Sequence, residues 1–330
     1  MTDTMNILCA ADDNYIPYCG IMLTSLFESN NASEFHVFLL TESLSAESSR
    51  DMMRLADSYG QKIQIVVVEP EALKDCPIRK KDHVSIATYY RLLAPILLPD
   101  SVDKVLYLDC DIIVDGRIDE LWNTDISGDA LGCVVDESYL NISYYDRLEI
   151  NKERKYFNAG VLLLNIGYWR CHDVMKRCFD CISAMSEKLL LHDQDTLNHV
   201  LQDEIKFLPV KYNFQTGFLY IDKALGVDVR QEVRDTVSNP IIIHYTGKRK
   251  PWLAHYYHPF LTRFRYYKSI SLWKDYPLVK KFKEEWRYWR HQIKFALGWK
   301  KRPYITDRSI CTKDGKQKDI GIYNEMNKGI

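Results

Sequence analysis

Short apolar segments alternate with helical segments through the first third of the chain, and this alternation constrains the fold most. Segments 6–11, 35–40, 62–68 and 104–108 are almost entirely apolar or β-branched, which is typical of strands buried on both faces. Segments 15–28, 85–93 and a stretch that begins at Ser45, its expected N-cap, have helical patterns. This order predicts an α/β fold whose parallel sheet is covered by helices on both faces.

The pattern becomes less regular beyond residue 111. Segments 131–135, 160–164 and 241–244 have strand patterns, and 168–190 has the pattern of one long helix. We expect one catalytic domain over residues 1–259 and a basic, aromatic helical extension over 260–330. The polar residues after about 306 are expected to fray.

Charge is distributed unevenly along the chain. The whole sequence has 44 Lys and Arg against 45 Asp and Glu, a net charge of −1. Residues 260–303 contain 13 basic and three acidic residues, a local charge of +10, which leaves −11 for the rest. This asymmetry predicts a basic appendage on an acidic body.

The sequence offers no membrane-spanning or secretory signal. No segment approaches the roughly 18 apolar residues of a transmembrane helix, and the first residues lack the basic region of a signal peptide. The nine cysteines are scattered, and the CxxC pair Cys178 and Cys181 has no second pair, so a zinc site is not expected. Reduced thiols in the cytoplasm are the expectation.

Two aspartates, Asp109 and Asp111, follow directly after an apolar strand. In an extended chain their side chains would point to the same side, and two such close carboxylates repel each other unless a cation lies between them. Hard oxygen ligands suit Mn²⁺ or Mg²⁺ bound together with a phosphate. The same pattern recurs at Asp193 and Asp195, so turn or helix-cap aspartates remain an alternative.

Five separate motifs, in this order along about residues 5–260, resemble glycosyltransferase family 8. The resemblance is strongest to its bacterial lipopolysaccharide galactosyl- and glucosyltransferases, and glycogenin is a more distant relative. It implies a GT-A fold with a mostly parallel mixed sheet, retention of anomeric configuration, and Mn²⁺ or Mg²⁺ as cofactor. The motifs are Cys9-Ala-Ala-Asp-Asp-Asn-Tyr15, Ser85-Ile-Ala-Thr-Tyr-Tyr-Arg91-Leu, Phe157-Asn-Ala-Gly-Val161, His192-Asp-Gln-Asp195 and His244-Tyr-Thr-Gly-Lys-Arg-Lys250-Pro-Trp252.

The resemblance also implies a role for particular residues. Gln194 would lie nearest the anomeric carbon; because an amide is a poor nucleophile, front-side attack is favoured, with Asp193 as the alternative covalent nucleophile. The metal ligands would be Asp109, Asp111 and His244, and the uridine loop would comprise Ala10, Asp12, Asn14 and Tyr15. The diphosphate would contact Gly247 and Lys250, and the other donor-site residues would be Arg91, Cys110, Asn158, Ala159 and Gly160. The acceptor would contact His83 and Asp136.

The residue chemistry supports these assignments without excluding simpler ones. His244 ends an apolar strand and can offer a neutral imidazole to a metal, although a core histidine has the same pattern. Gly247 allows close approach of a phosphate and Lys250 supplies charge, although a solvated basic turn fits as well. Asp12 could equally cap the following helix.

The basic, aromatic extension has three interpretations. An anionic membrane surface attracts Lys and Arg and accommodates Trp and Tyr at the headgroups, and 280–297 has the pattern of an interfacial helix. Nucleic acid would attract the same charge but is not expected. The third interpretation is packing of the aromatic residues on the main domain.

The expected function is therefore transfer of galactose or glucose from UDP-galactose or UDP-glucose to a saccharide or glycolipid acceptor, such as a lipopolysaccharide or other cell-surface glycan precursor. The expected location is cytoplasmic, with peripheral association at the inner face of the membrane. A self-glucosylating priming protein and a non-catalytic nucleotide-sugar binder are the alternatives. A nucleotidyltransferase is set aside, because the loop after the first strand is not glycine-rich.

Overall fold

The computed structural model describes residues 4–74, 76, 86–220 and 224–299 of the chain. His83 and residues 300–330 lie outside the described residues, so the expected acceptor role of the one and fraying of the other stay predictions. The strands are β1 (Met5–Ala10), β2 (Phe35–Thr41), β3 (Lys62–Val67), β4 (Lys104–Leu108), β5 (Ile112–Val114), β6 (Leu131–Val135), β7 (Phe157–Asn165), β8 (Ile205–Phe207), β9 (Phe214–Gln215) and β10 (Ile242–His244).

Seven strands form a mixed, mostly parallel sheet in the order β3-β2-β1-β4-β7-β6-β8. The first four are parallel, β7 is antiparallel to both neighbours, and β8 is parallel to β6. All seven strand directions thus agree except that of β7. The expected α/β fold with a mostly parallel mixed sheet is confirmed.

A second, three-stranded sheet has the order β5-β10-β9. Strand β10 is antiparallel to β5 and pairs His244 with Ile112, the residue that follows Asp111. It is parallel to β9 on its other side. This small sheet brings a late part of the chain to the end of β4.

The α-helices lie on both faces of the large sheet. Ser45 caps the second helix by accepting a hydrogen bond from the Ser48 amide, as expected. The predicted helix over 85–93 is a 3₁₀ helix over Ile86–Leu93. The α-helices are α1 (Ile16–Ser29), α2 (Ala46–Tyr59), α3 (Ala94–Leu97), α4 (Asp119–Trp122), α5 (Ile142–Leu148), α6 (Ile166–Cys171), α7 (Val174–Met185), α8 (Asp193–Val200), α9 (Val227–Thr236), α10 (Leu261–Ile270) and α11 (Phe282–Ala296).

The expectation of one long helix over 168–190 is wrong. The helical segment divides into α6 and α7 because Asp173 adopts a φ of 50°, in the left-handed region that interrupts a right-handed helix. The expected strand over 160–164 is correct in type but too short, since β7 begins at Phe157. The apolar pattern does not reveal where β7 begins, because Tyr156 and Phe157 on the two sides of that boundary are both buried.

Part of the segment over residues 260–279 packs against the preceding part of the chain. Phe264, Tyr267 and Trp273 are buried. The Tyr267 hydroxyl hydrogen-bonds Ser29 on α1 at 3.0 Å and donates to Asp115 at 2.8 Å. The domain boundary at 259 stays a prediction, and packing on the main domain, one of the three interpretations of the extension, holds for this part of it.

The rest of the described extension contains α11, and several large apolar side chains on it or just after it are exposed to solvent. Trp286, Trp289 and Ile293 of α11 and Leu297, the residue after its end, are each more than half exposed, and the spacing of the three helical residues places them along one side of the helix. Among the helices that the structure describes, none combines the length and hydrophobicity required to cross a bilayer.

Close packing of Trp273 on Gly20 of α1 yields a test of this arrangement. A Cβ at residue 20 would overlap the Trp273 ring, so Gly20→Ala should reduce the free energy of unfolding by about 1–3 kcal/mol. Urea denaturation measures the change. Gly128→Ala is the matched control, since a Cβ at that position meets nothing within 4 Å.

In the Gly20→Ala/Trp273→Ala double variant, the penalty of the first substitution should largely disappear. Full additivity of the two substitutions would show that Trp273 does not pack there.

Candidate metal and nucleotide-sugar site

Two carboxylates and one imidazole lie close together at the end of β4. The chain turns after Leu108, so Asp109 and Asp111 lie in a turn between β4 and β5 rather than in an extended segment, contrary to expectation. Pairing of β10 with β5 brings His244 to the same place. One ligand atom from each of these residues lies within 4.8 Å of the other two, the only such metal-binding group found among the described residues.

Hydrogen bonds fix which nitrogen of His244 faces the aspartates. The Gly160 amide donates to Asn158 Oδ1 at 3.0 Å, which identifies that atom as oxygen. Asn213 Nδ2 donates to the same atom at 2.9 Å, so Asn213 Oδ1 is the atom 2.9 Å from His244 Nδ1. Nδ1 therefore carries hydrogen, and Nε2 lies 3.2 Å from Asp111 Oδ1 and 3.8 Å from Asp109 Oδ2.

This arrangement fits a divalent cation. A neutral imidazole with hydrogen on Nδ1 directs the Nε2 lone pair at two carboxylates, which is unfavourable unless a cation lies between them. Proton and metal compete for Nε2, and two carboxylates with one imidazole form a ligand set for Mn²⁺ or Mg²⁺. The amide of Asn213 then orients the imidazole from outside, as is usual for metal-bound histidines.

Lys250 forms an ion pair with Asp111 and donates to the Tyr245 carbonyl at 3.0 Å. Burial alone would raise the pKa of Asp111, but the charges and hydrogen bonds of Lys250 and His244 together outweigh it and hold the pKa well below its usual range. Asp111 is therefore ionised over the physiological pH range and available to a cation. Lys250 comes from the loop after β10, where Gly247 has a φ of 86°.

Arg91 connects two of the aspartates expected at the donor site. Its guanidinium is buried and lies 3.0 Å from Asp109 Oδ1 and 3.0 Å from Asp193 Oδ2. It also donates to the Ala159 carbonyl and lies over the Tyr107 ring, 3.9 Å from the centroid. Burial raises the pKa of Asp193, and the charge of Arg91 opposes that shift.

Gln194 is held by four hydrogen bonds. Its Oε1 accepts from the Ala159 amide at 3.0 Å and from Asn158 Nδ2 at 3.2 Å. Its Nε2 donates to Asp136 Oδ2 and to the Tyr156 hydroxyl, both at 3.3 Å. Both ends of the amide are thus engaged by protein atoms, which fixes its orientation.

These groups border a cavity of about 850 Å³. Leu191, Trp252 and Lys281 also line it, although the sequence did not indicate them. The sequence-predicted residues on its wall are Ala10, Asp12, Tyr15, Arg91, Asp109, Cys110, Asp111, Asn158, Ala159, Gly160, Asp193, Gln194, Gly247 and Lys250.

Three predicted residues lie elsewhere. His244 is buried behind the wall with its Nε2 at the aspartates. Asp136 is buried and contacts Gln194 and Asn158, and burial raises its pKa to about 6. Asn14 is exposed and off the cavity wall, and its expected contact with uridine stays a prediction.

The side chain of Asp12 stabilises the turn that precedes α1, whose N-cap is Tyr15, and its expected contact with uridine stays a prediction. Its Oδ1 accepts hydrogen bonds from the amides of Asn14 at 3.0 Å and Tyr15 at 3.1 Å, which turns the chain into α1, and Asp12 also lines the cavity. Tyr15 packs edge-on against Trp252, with 6.0 Å between ring centroids. Asp193, by contrast, does not cap α8; the carboxylate of Asp195 instead accepts from the Leu191 amide.

The sequence analysis missed several supporting residues. Tyr107 donates to Asp109 Oδ1 at 2.8 Å, and its position on β4 two residues before Asp109 was a usable signal. Asn213 and Tyr156 had no comparable signal, because each reaches the site through tertiary packing alone.

Gly160 provides a test of the metal site. A Cβ there would lie 2.8 Å from Asp109 Oδ2 and 2.8 Å from His244 Nδ1, so Gly160→Ala should displace both ligands. We expect Mn²⁺ affinity, measured by calorimetry in the presence of UDP, to fall roughly tenfold or more.

Gly167→Ala is the control, since its Cβ would make only ordinary contacts, 3.5 Å at the closest. Unchanged Mn²⁺ affinity in a folded Gly160→Ala variant would contradict the assignment.

Comparison with known proteins agrees with the geometry. Residues 6–255 match the model of glycosyl transferase family 8. General stress protein A of Bacillus subtilis is 27% identical over 82% of this chain and 95% of its own length. Lipopolysaccharide 1,2-glucosyltransferase of Escherichia coli is 30% identical over 90% of this chain and 88% of its own.

A solved structure of galactosyltransferase LgtC, in complex with donor and acceptor sugar analogues, superposes with a TM-score of 0.73. It is 28% identical and covers 86% of this chain and 99% of that one. The match to the family model spans most of the chain, and the fold and the clustered aspartates and histidine accord with it. The protein belongs to glycosyl transferase family 8 and is a glycosyltransferase.

Proposed function

We propose that the protein is a retaining transferase that moves galactose or glucose from a UDP-sugar to a saccharide acceptor, a lipopolysaccharide or other cell-surface glycan precursor. The observation that carries this proposal is the convergence of Asp109, Asp111 and His244 on one point beside a cavity of about 850 Å³. The E. coli relative is named as a glucosyltransferase and LgtC as a galactosyltransferase, so the proposal keeps both glucose and galactose as candidate sugars.

Asp109, Asp111 and His244 would hold Mn²⁺ or Mg²⁺. When bound, the ion supplies positive charge that stabilises negative charge on a phosphate leaving group. Lys250 and the Gly247 backbone lie on the same wall and suit diphosphate binding. Ala10, Asp12 and Tyr15 form the part of the wall proposed for uridine, where an aromatic ring and a carboxylate suit a uracil base.

The hydrogen bonding around Gln194 bears on retention of configuration. Because both ends of its amide are engaged, Gln194 is suited to position groups rather than to attack the anomeric carbon. Asp193 is paired with Arg91, which lowers its nucleophilicity. Both features favour front-side attack by the acceptor, with the Arg91 and Asp193 pair orienting donor hydroxyls.

Asp136 is proposed as an acceptor-side residue that acts through Gln194. It shares Gln194 with the donor-side residues Asn158 and Ala159, so one amide connects the two halves of the site. A carboxyl whose pKa is near 6 can accept or release a proton near neutral pH.

A screen of UDP-sugars tests the function. With Mn²⁺ and without acceptor, we expect slow hydrolysis of UDP-galactose or UDP-glucose, measured as the amount of UDP released. Asp111→Ala should reduce it about 100-fold or more, because a metal ligand is lost. Asp57→Ala, an exposed aspartate on α2, should leave it unchanged.

The two alternatives give other outcomes in the same screen. Tight UDP binding with no hydrolysis of any UDP-sugar would indicate a non-catalytic binder. An increase in the mass of the protein itself after incubation with UDP-glucose would indicate a self-glucosylating primer.

We further propose that α11 attaches the enzyme to an anionic membrane surface on the cytoplasmic side. The helix exposes Trp286, Trp289 and Ile293 along one side, Leu297 is exposed just after its end, and residues 260–303 carry +10. Apolar side chains that insert at the headgroups and basic residues that remain among them suit such a surface.

Vesicle flotation tests this attachment with the full-length chain. Trp286→Ser/Ile293→Ser should reduce binding to anionic vesicles about tenfold or more, because two apolar side chains no longer insert. The double variant Ile96→Ser/Val227→Ser is the matched control, since both residues are exposed elsewhere on the surface. Equal flotation of all three proteins would exclude attachment through α11.

A further inference from the structure

The segment that connects α10 to α11 forms part of the donor cavity. Val279 and Lys281 both line it, although they belong to the extension and not to residues 6–255 that match the family model. Lys281, unlike the other cations on this wall, does not belong to any of the five sequence motifs. Its chemistry therefore calls for a separate explanation.

Two backbone hydrogen bonds fix this segment beside the loop that carries Lys250. The Val279 amide donates to the Trp252 carbonyl at 2.9 Å, and the Ala254 amide donates to the Val279 carbonyl at 3.0 Å. Leu253 and Val279 form the corresponding parallel bridge. Trp252 in turn stacks on Tyr18 with 3.8 Å between ring centroids, so the connection extends to α1.

The cations on the cavity wall differ in whether they are paired. Lys248 and Lys281 are the two lysines there that make no ion pair with another described residue, and of the two only Lys281 comes from the extension. Arg91 is paired with Asp109 and Asp193, and Lys250 is paired with Asp111. Lys281 makes no ion pair with any residue in the described part of the chain, and its side chain is exposed to the cavity. An ammonium group on the cavity wall that has no ion-pair partner can bind an anion without first breaking an ion pair.

Resting on the function proposed above, we propose that Lys281 binds the diphosphate of the nucleotide donor. The donor site is then composite: the family domain supplies the metal ligands and uridine loop, and the C-terminal extension supplies one cation for the phosphates. Because α11 begins at the next residue, the same segment carries the proposed membrane-binding face.

Binding measurements with UDP and uridine test this role in the full-length protein. With Mn²⁺ present, Lys281→Gln should weaken UDP binding roughly fivefold, the magnitude of one exposed charge pair. It should leave the affinity for uridine, which lacks phosphates, unchanged. Lys281→Arg should remain within about twofold of the wild type, because the charge is retained.

Lys280→Gln is the matched control. Lys280 is the adjacent exposed lysine, but it borders only a small neighbouring crevice with His255 and Glu285. Equal UDP affinities for Lys280→Gln and Lys281→Gln, or an equal loss of UDP and uridine binding, would overturn the role of Lys281. Failure of the wild-type protein to bind UDP would instead overturn the proposed function on which it rests.

Discussion

The amide of Gly160 fixes the chemistry of the site from the backbone of β7. Its hydrogen bond to Asn158 sets the orientation of Asn213, which places hydrogen on His244 Nδ1 and turns Nε2 toward the aspartates. The same residue leaves no space for a Cβ, so Asp109 and His244 pack directly on bare backbone. Orientation and proximity thus come from one position in the sheet, and a side chain there would disturb both.

The positive charge of Arg91 offsets the repulsion between neighbouring carboxylates at the site. Asp109 and Asp193 both lie against its guanidinium, which keeps two carboxylates close together in a buried region. A divalent ion held by Asp109 and Asp111 would add charge on the other side of the same cluster. The cavity therefore holds fixed charges of both signs before any substrate binds, which is the arrangement that stabilises developing charge with little reorganisation.

Much of the architecture and most of the cavity wall could be predicted from the sequence. The alternation of apolar strands and helices determined the parallel half of the sheet, and the motif order brought His244 to Asp109 and Asp111 across 130 residues of chain. Local patterns could not show that Asp173 divides a helix or that Asp109 and Asp111 lie in a turn. Nor could they find Asn213, whose importance arises from a contact 31 residues away.

The boundary at residue 259, which was predicted from composition, does not separate the extension from the residues that it contacts. Its charge and aromatic content separate it from the acidic body, yet Trp273 lies where Gly20 makes room for it, and Val279 hydrogen-bonds the loop that carries Lys250. Composition reports which residues a segment contains, whereas packing decides what they contact. A donor phosphate at Lys281 and a membrane at α11 would contact two neighbouring parts of one short segment. Binding of one would therefore strengthen binding of the other only if this segment has a different position in the free protein than in the bound protein.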